Sequence, residues 1–277
     1  MSTALAPIEI GRVSLTVNDL TSVSDFYQSV LGLAKMSGDG ENVMLGAGNR
    51  VLIELRGDRN ARKHSAREAG LFHTAFLMPN RAALARWLIH SAEMQVPLQG
   101  ASDHLVSEAI YLSDPEGNGI EVYADRPRST WHSPDGKLRM ATEALDLNAL
   151  ARAADAVWTG APDDAVVGHI HLQVGDVPKA ETFYGGQIGM PIMSHYTGAA
   201  FFGSGGYHHH IATNIWNSRG AGPRSTPVTG LAGFELLADA TEFAAMLQRN
   251  GSAAFADPWG TAITVTKKPA DSGLPSI

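Results

Sequence analysis

The chain contains no cysteine, so it can form neither a disulfide nor a thiolate metal site, and any metal must be held by His, Asp or Glu. It also lacks an excess of basic side chains. Lys and Arg number 21 against 28 Asp and Glu, a formal charge of -7, which argues against the counterion-displacing grip that nucleic acid requires. No apolar run reaches membrane-spanning length, and Met1 to Ile10 has neither the basic start nor the apolar core of a secretory signal. These absences set the expectation of a cytoplasmic protein without nucleic-acid or membrane partners, working on a small molecule. Charged residues are only 18% of the chain and hydrophobic ones 44%, an ordinary balance for a folded protein. At 277 residues the chain can bury a sizeable core, and two domains are the starting expectation.

What the chain does contain is a repeat. Arg12-Val-Ser-Leu-Thr-Val-Asn-Asp19 recurs as His169-Ile-His-Leu-Gln-Val-Gly-Asp176, an offset of 157 residues. The same offset carries Phe26-Tyr27 onto Phe183-Tyr184 and Leu31-Gly32-Leu33 onto Ile188-Gly189-Met190. A second kind of unit repeats too: Gly70 to Phe76 matches Gly230 to Leu236, and Asp114-Pro-Glu-Gly-Asn-Gly-Ile-Glu121 matches Asp257-Pro-Trp-Gly-Thr-Ala-Ile-Thr264. Repeats at fixed spacing imply repeated structural units.

Each unit has the same local pattern. Alternating apolar positions such as Val13, Leu15 and Val17 predict a strand. Asp19 and Asp176 then suit helix N-caps, ahead of the Phe-Tyr pairs. Glycine-punctuated strands are expected at 43–45, 51–55, 201–202 and 207–211. Four units start near residues 10, 71, 167 and 231. They group as a first domain over 8–127, a connector over 128–165 with a helical stretch at 143–154, and a second domain over 166–267. The tail from Lys268 reads as weakly ordered.

The strand opening on His with x-x-Leu-x-Val-x-Asp, the following Phe-Tyr and Leu-Gly, and the closing Asp114-Pro-Glu-Gly-Asn-Gly-Ile-Glu121 resemble the vicinal oxygen chelate superfamily, which includes glyoxalase I, bleomycin resistance proteins and extradiol dioxygenases. The resemblance implies an α+β fold of four βαβββ modules pairing into two cup-shaped mixed β-sheets. Asp103-His-Leu-Val-Ser-Glu-Ala-Ile-Tyr111, the run from Asp114 to Pro127, and Gly205-Gly-Tyr-His-His-His210 are similar to bacterial catechol 2,3-dioxygenase-like proteins. That narrower resemblance implies ring cleavage of a catechol-type aromatic diol with O2 and Fe(II), Mn, Zn and Ni being the alternative metals, in a protein that can be a homodimer.

Ring-cleaving relatives hold their metal with two His that open first strands and a Glu that closes a last strand. Here module one opens on Arg12 and offers Glu54. Module two carries His73 and Glu121, module three His169 and His209, and module four only Gly233 and Thr264. Pairing modules one and two lacks a second His, and pairing three and four lacks a carboxylate. Pairing two with three gives His73, His169 and Glu121, and this is the expected metal set. A lone His in a strand is more often packed or solvated than ligating, but two imidazoles and a carboxylate buried in one cup need a cation or hydrogen bonds to compensate them.

Aligning the closing strands puts His209 opposite Glu121. Strand alternation would turn it into the cup and His208 and His210 away. His209 is accordingly the candidate acid/base or a fourth metal contact, against the plainer reading of a His cluster at a sheet edge. The resemblance adds Tyr111 and His104 as active-site donors, while ring substituents would be read by loop side chains such as Trp216 or Phe202. Two alternatives stay open: a glyoxalase-like metal-dependent lyase or isomerase, which would bring Glu54 beside Glu121, and a non-catalytic small-molecule binding protein of the bleomycin resistance type.

Overall fold

The computed structural model describes residues 4–268. Past Lys268 the tail expected to be weakly ordered lies outside the described residues. Module one contains β1 (Ile8–Val17), α1 (Leu20–Ser29), β2 (Ala34–Gly38), β3 (Asn42–Ala47) and β4 (Arg50–Gly57). Module two repeats the order with β5 (Gly70–Met78), α2 (Arg81–Glu93), β6 (Gly100–Asp103), β7 (Ser107–Ser113) and β8 (Gly119–Asp125). The connector adds a two-residue strand β9 (Glu143–Ala144) and a single helical turn α3 (Leu147–Ala151). Module three has β10 (Val166–Gln173), α4 (Val177–Ala180) continuing as a wider π-helix over Glu181–Ile188, then β11 (Ile192–Tyr196), β12 (Ala199–Phe202) and β13 (Ile211–Asn214). Module four is the shortest, with β14 (Gly230–Ala238), α5 (Ala240–Asn250), β15 (Ala254–Ala256) and β16 (Ala262–Lys267).

The four modules form two curled mixed sheets, the architecture that the resemblance implied. One has the order β15-β16-β14-β1-β4-β3-β2 and the other β11-β12-β13-β10-β5-β8-β7-β6-β9. Each sheet thus takes one module from each half of the chain: four with one, and three with two. The opening strands join antiparallel at the centre, β1 with β14 and β10 with β5. Both β10 and most of β1 are buried along their length, as central strands with both faces covered must be.

Local chemistry repeats with the modules. Every module's helix follows a side-chain N-cap: Asp19 accepts from the Ser22 N–H at 3.0 Å, Asn80 from Ala83 at 2.9 Å, Asp176 from Lys179 at 2.8 Å and Asp239 from Glu242 at 2.9 Å. Each cap satisfies a backbone donor that the first helical turn leaves unpaired. The two Asp-Pro turns are also alike. The Asp114 carboxylate accepts from Glu116 and Asn118 N–H, each at 2.9 Å, and Asp257 accepts from Trp259 and Thr261 at 2.9 and 2.8 Å. Gly117 and Gly260 within them have φ of +85° and +84°, a conformation that costs other residues backbone strain. The first of these turns launches β8 and so sets the position of Glu121.

Most apolar side chains enter one large core under the helices, where Tyr27, Trp87 and Tyr184 are fully buried. A smaller cluster of Ala75, Leu77, Tyr123, Trp131 and Tyr207 lies on the inner face of the nine-stranded sheet. Two sequence expectations change. The 143–154 stretch is helical only over 147–151, because Glu143 and Ala144 pair instead with the edge strand β6. The strand expected over 207–211 begins only at Ile211, so Tyr207 to His210 form an irregular turn. No helix among the described residues is long and apolar enough to cross a membrane.

Candidate metal centre

The inner face of the nine-stranded sheet brings four strands into one row. Tyr111 on β7 is opposite Glu121 on β8, Glu121 opposite Ala75 on β5, and Ala75 opposite His169 on β10. His73, two residues before Ala75, shares that face by the two-residue period of a strand. Consequently His73 Nε2 lies 3.0 Å and His169 Nε2 3.2 Å from the same oxygen, Glu121 Oε2. All three side chains are buried, and their ligand atoms lie within 4.8 Å of one another.

This set fits a divalent metal. His73 Nε2 is buried and, although it faces Glu121 Oε2, makes no well-directed hydrogen bond, which is costly unless something else satisfies it. Atoms about 2.1 Å from a common ion and a right angle apart are separated by about 3.0 Å, close to the spacings here. Two imidazoles and one carboxylate on one side of an ion leave the opposite positions open. Protonation favours binding as well. Burial pushes the Glu121 carboxyl up, but the two imidazoles outweigh it and hold it well below the usual range. Burial lowers His169 to about 4, despite the opposing pull of Glu121, so at neutral pH it is an uncharged ligand.

The cavity above these residues has a volume of about 470 Å³ and is lined by His104, Tyr111, His209, Phe72, Phe201 and Trp216 among others. His104 is held by a tight hairpin between β6 and β7, where Leu105 takes a φ of +66°. Its Nδ1–H donates to the Ala141 carbonyl at 2.7 Å, which leaves Nε2 to accept from the Tyr111 hydroxyl, also at 2.7 Å. Burial and then the neighbouring Glu121 push the Tyr111 phenol well up, keeping its proton available. His209 stacks obliquely on His169 with ring centroids 4.1 Å apart. Burial followed by His169 lowers its pKa well below the ordinary value.

Other placements depart from the sequence reading. His209 faces the cavity from a turn rather than through strand alternation, so its neighbours are not simply turned away. His210 is locked by Ser204 N–H and the Ala4 carbonyl, while His208 bonds back to His209. Phe202 is fully buried on the helix side against Tyr184, with centroids 5.7 Å apart. Phe201, one residue earlier, lines the cavity in its place, and Trp216 lines it as well. Glu54 belongs to the seven-stranded sheet, where Ser14 and Arg56 donate to it at 2.6 to 3.0 Å and Arg12 lies 3.5 Å away. That cup has filled its carboxylate with cationic side chains.

His171 was missed. It lies on β10 two residues after His169, so period two alone puts it on the same face. Its ring is 4.9 Å from His73 and 4.8 Å from Phe72, and its Nε2 lies 3.0 Å from Asn214 Nδ2.

The sequence model of the Glyoxalase/Bleomycin resistance protein/Dioxygenase superfamily matches residues 9–122 and 166–252. The chain belongs to that superfamily. A catechol-2,3-dioxygenase of Bacillus subtilis (strain 168) is 42% identical over 228 residues, 80% of each chain. Glyoxalase I from Zea mays superposes with a TM-score of 0.58 at 14% identity, over 93% of this chain and 92% of that one. The cppA protein from Streptococcus pneumoniae TIGR4 superposes with a TM-score of 0.56 at 11% identity, over 94% and 99%. At such identities the two structures speak for the fold alone. Within the superfamily this chain keeps one convergent His-His-Glu set among its described residues.

Proposed function

We propose that this superfamily member is a cytoplasmic extradiol ring-cleavage dioxygenase, using Fe(II) held by His73, His169 and Glu121 to open a catechol with O2. The observation that carries the reading is the convergence of one carboxylate and two imidazoles on one side of a largely apolar cavity, with a third His and a Tyr–His pair facing them. The B. subtilis relative's name points the same way. A glyoxalase-like site with a second carboxylate has no support from Glu54, which is engaged in the other sheet.

Fe(II) bound by this set would supply adjacent open positions for the two diol oxygens and for dioxygen. The chain's own residues do the rest. Phe72, Phe201 and Trp216 wall the cavity with ring faces and edges, orienting an aromatic substrate and excluding water. His209, beside His169, accepts a proton from the diol. The Tyr111 hydroxyl rests with its single proton on His104 Nε2 and turns that proton to the negative charge that develops on the substrate oxygens. No Lys or Arg among the described residues lines the cavity, so the ring itself, rather than an acidic substituent, is what the walls recognise.

Anaerobic reconstitution with Fe(II), followed by oxygenation in the presence of a catechol panel, tests the reading. A yellow ring-opened product is expected with at least one neutral catechol, and none after Glu121→Gln. Full iron occupancy without turnover of any member of the panel would remove the dioxygenase assignment.

A further inference from the structure

His208 occupies no place in the chemistry above, yet it is fully buried and bonded at both ring nitrogens. Its Nε2 lies 2.8 Å from Asp125 Oδ1, and its Nδ1 lies 2.8 Å from His209 Nδ1. Trp131 and Tyr207 pack on the ring with centroids 5.0 and 4.1 Å away. Asp125 ends β8, four residues beyond Glu121, and its side chain is almost completely buried. The strand that supplies the carboxylate of the metal set therefore also supplies the last member of a buried Asp–His–His line ending at the cavity.

We propose that Asp125 and His208 are positioning residues that fix the tautomer and orientation of His209. The proton order follows from the acceptors. A carboxylate can only accept, so His208 Nε2 carries a proton and donates to Asp125. In a neutral imidazole His208 Nδ1 is then a lone pair, and the short contact with His209 Nδ1 requires His209 to carry its proton there. His209 Nε2 is left as the bare nitrogen. A substrate proton taken at that nitrogen makes His209 an imidazolium, and the Asp125 charge, relayed through His208, stabilises it. The same logic holds a catalytic imidazole in its working tautomer when a buried Asp bonds to its far nitrogen.

A purely structural role would explain the Asp125–His208 bond, because a buried carboxylate needs a donor. It would not require His208 to aim its second nitrogen at His209. Tyr207 shares the carboxylate: its hydroxyl, 2.7 Å from that of Tyr123, also hydrogen-bonds Asp125, and burial first, then the Asp125 charge, push both phenols well up.

The proposal rests on His209 as the proton acceptor of the proposed reaction, but its test does not depend on turnover. The full chain is labelled with 15N-histidine and loaded with diamagnetic Zn(II), and its long-range 1H–15N spectra are recorded, with His209 and His208 assigned from His209→Asn and His208→Gln. The expected wild-type pattern is a protonated Nδ1 and bare Nε2 on His209, with a protonated Nε2 on His208. The opposite His209 tautomer, or a His208 protonated at both nitrogens, overturns the proposal whether or not Asp125→Asn folds. In Asp125→Asn the amide can donate to His208 Nε2 and reverse the line, so His209 is expected to switch to the Nε2–H form. The iron-loaded variant should turn over catechol with kcat lower by about 10²–10⁴-fold at unchanged KM and metal content. A folded Asp125→Asn protein with the wild-type tautomer and full kcat overturns the proposal.

Discussion

Glu121 and His169 come from opposite halves of the chain and stand in one cross-strand row, separated by Ala75 alone. Ala75 is fully buried and presents a single methyl group to the inner face of the sheet. A larger side chain there would stand between the carboxylate and the imidazole. The small residue is thus as much a part of the site as its three ligands, because it keeps the floor of the cup open.

Ala75→Leu is expected to remove metal binding while leaving a folded protein. Overpacking should cost about 1–3 kcal/mol, visible as a lower Tm of the metal-free form. Metal content after dialysis against Fe(II) or Zn(II) checks the main claim, and retention of one full equivalent would contradict it.

Chelation provides a second check on the ligand set. A metal that binds only the folded state stabilises it by mass action, by about 2.7 kcal/mol when free metal is 100 times Kd. Removing it from the wild type should therefore lower Tm. In His169→Ala the ligand set is broken, and Tm should not respond to chelator. An equal chelator-induced shift in both proteins would place the metal elsewhere.

The repeat made the fold legible because each module writes the same signals, an opening strand and a side-chain N-cap, joined by a Phe-Tyr helix in modules one and three and by an Asp-Pro turn with its glycine in modules two and four. Pairing between modules left only an indirect trace, since strand partners are chosen in space and the clue was the inventory of His and Glu. At Tyr207 to His210 the alternation signal misled. Ser204 N–H and the Ala4 carbonyl capture His210, and Asp125 captures His208, so side-chain bonds replace the strand ladder. Phe201 and Phe202 could not be told apart without strand parity. Asp125 gave no signal, because its partner is 83 residues away.

Acid should weaken the hairpin that carries His104 through Asp103. Burial raises the Asp103 carboxyl, but hydrogen bonds from Arg126 and the Leu105 N–H outweigh it and hold the folded value below the ordinary one. The stability this contributes is present above the unfolded pKa of about 3.9 and is lost as pH falls through the lower folded value. Solvent reaches the pair, so the contribution is about 0.5–1 kcal/mol. Between pH 6 and 3, Arg126→Gln should start less stable and lose less stability than the wild type. Parallel curves for the two proteins would show that Asp103 gains nothing from Arg126.

Substrate charge follows from the walls. With no Lys or Arg among the described residues lining the cavity and Phe72, Phe201 and Trp216 exposed to it, a carboxylate on the ring would be desolvated without a permanently charged partner. Methyl- or chloro-substituted catechols should react with kcat/KM at least about 10-fold above carboxylated ones, since leaving such a group unpaired costs more than the 1.4 kcal/mol of one factor of ten. Equal kcat/KM for the two classes would mean that a basic side chain reaches the substrate from outside this cavity.

The Tyr111–His104 pair makes the sharpest claim about proton position. His104 Nδ1 is committed to the Ala141 carbonyl, so Nε2 accepts from the Tyr111 hydroxyl, and Tyr111 in turn is opposite Glu121 in the sheet. The phenol keeps its proton because burial and the Glu121 charge both disfavour the phenolate. Tyr111→Phe preserves the ring that packs at 5.7 Å from His73 and removes only the hydroxyl, so the metal set should be undisturbed. The loss should therefore appear in kcat, by about 10²–10³-fold as for removal of one charge-stabilising donor, with metal affinity unchanged. His104→Ala should give a smaller loss in kcat, because it leaves the donor in place but frees it to rotate. A Tyr111→Phe protein whose kcat is intact, or one that instead fails to hold metal, would remove Tyr111 from the chemistry and make it a packing residue of β7.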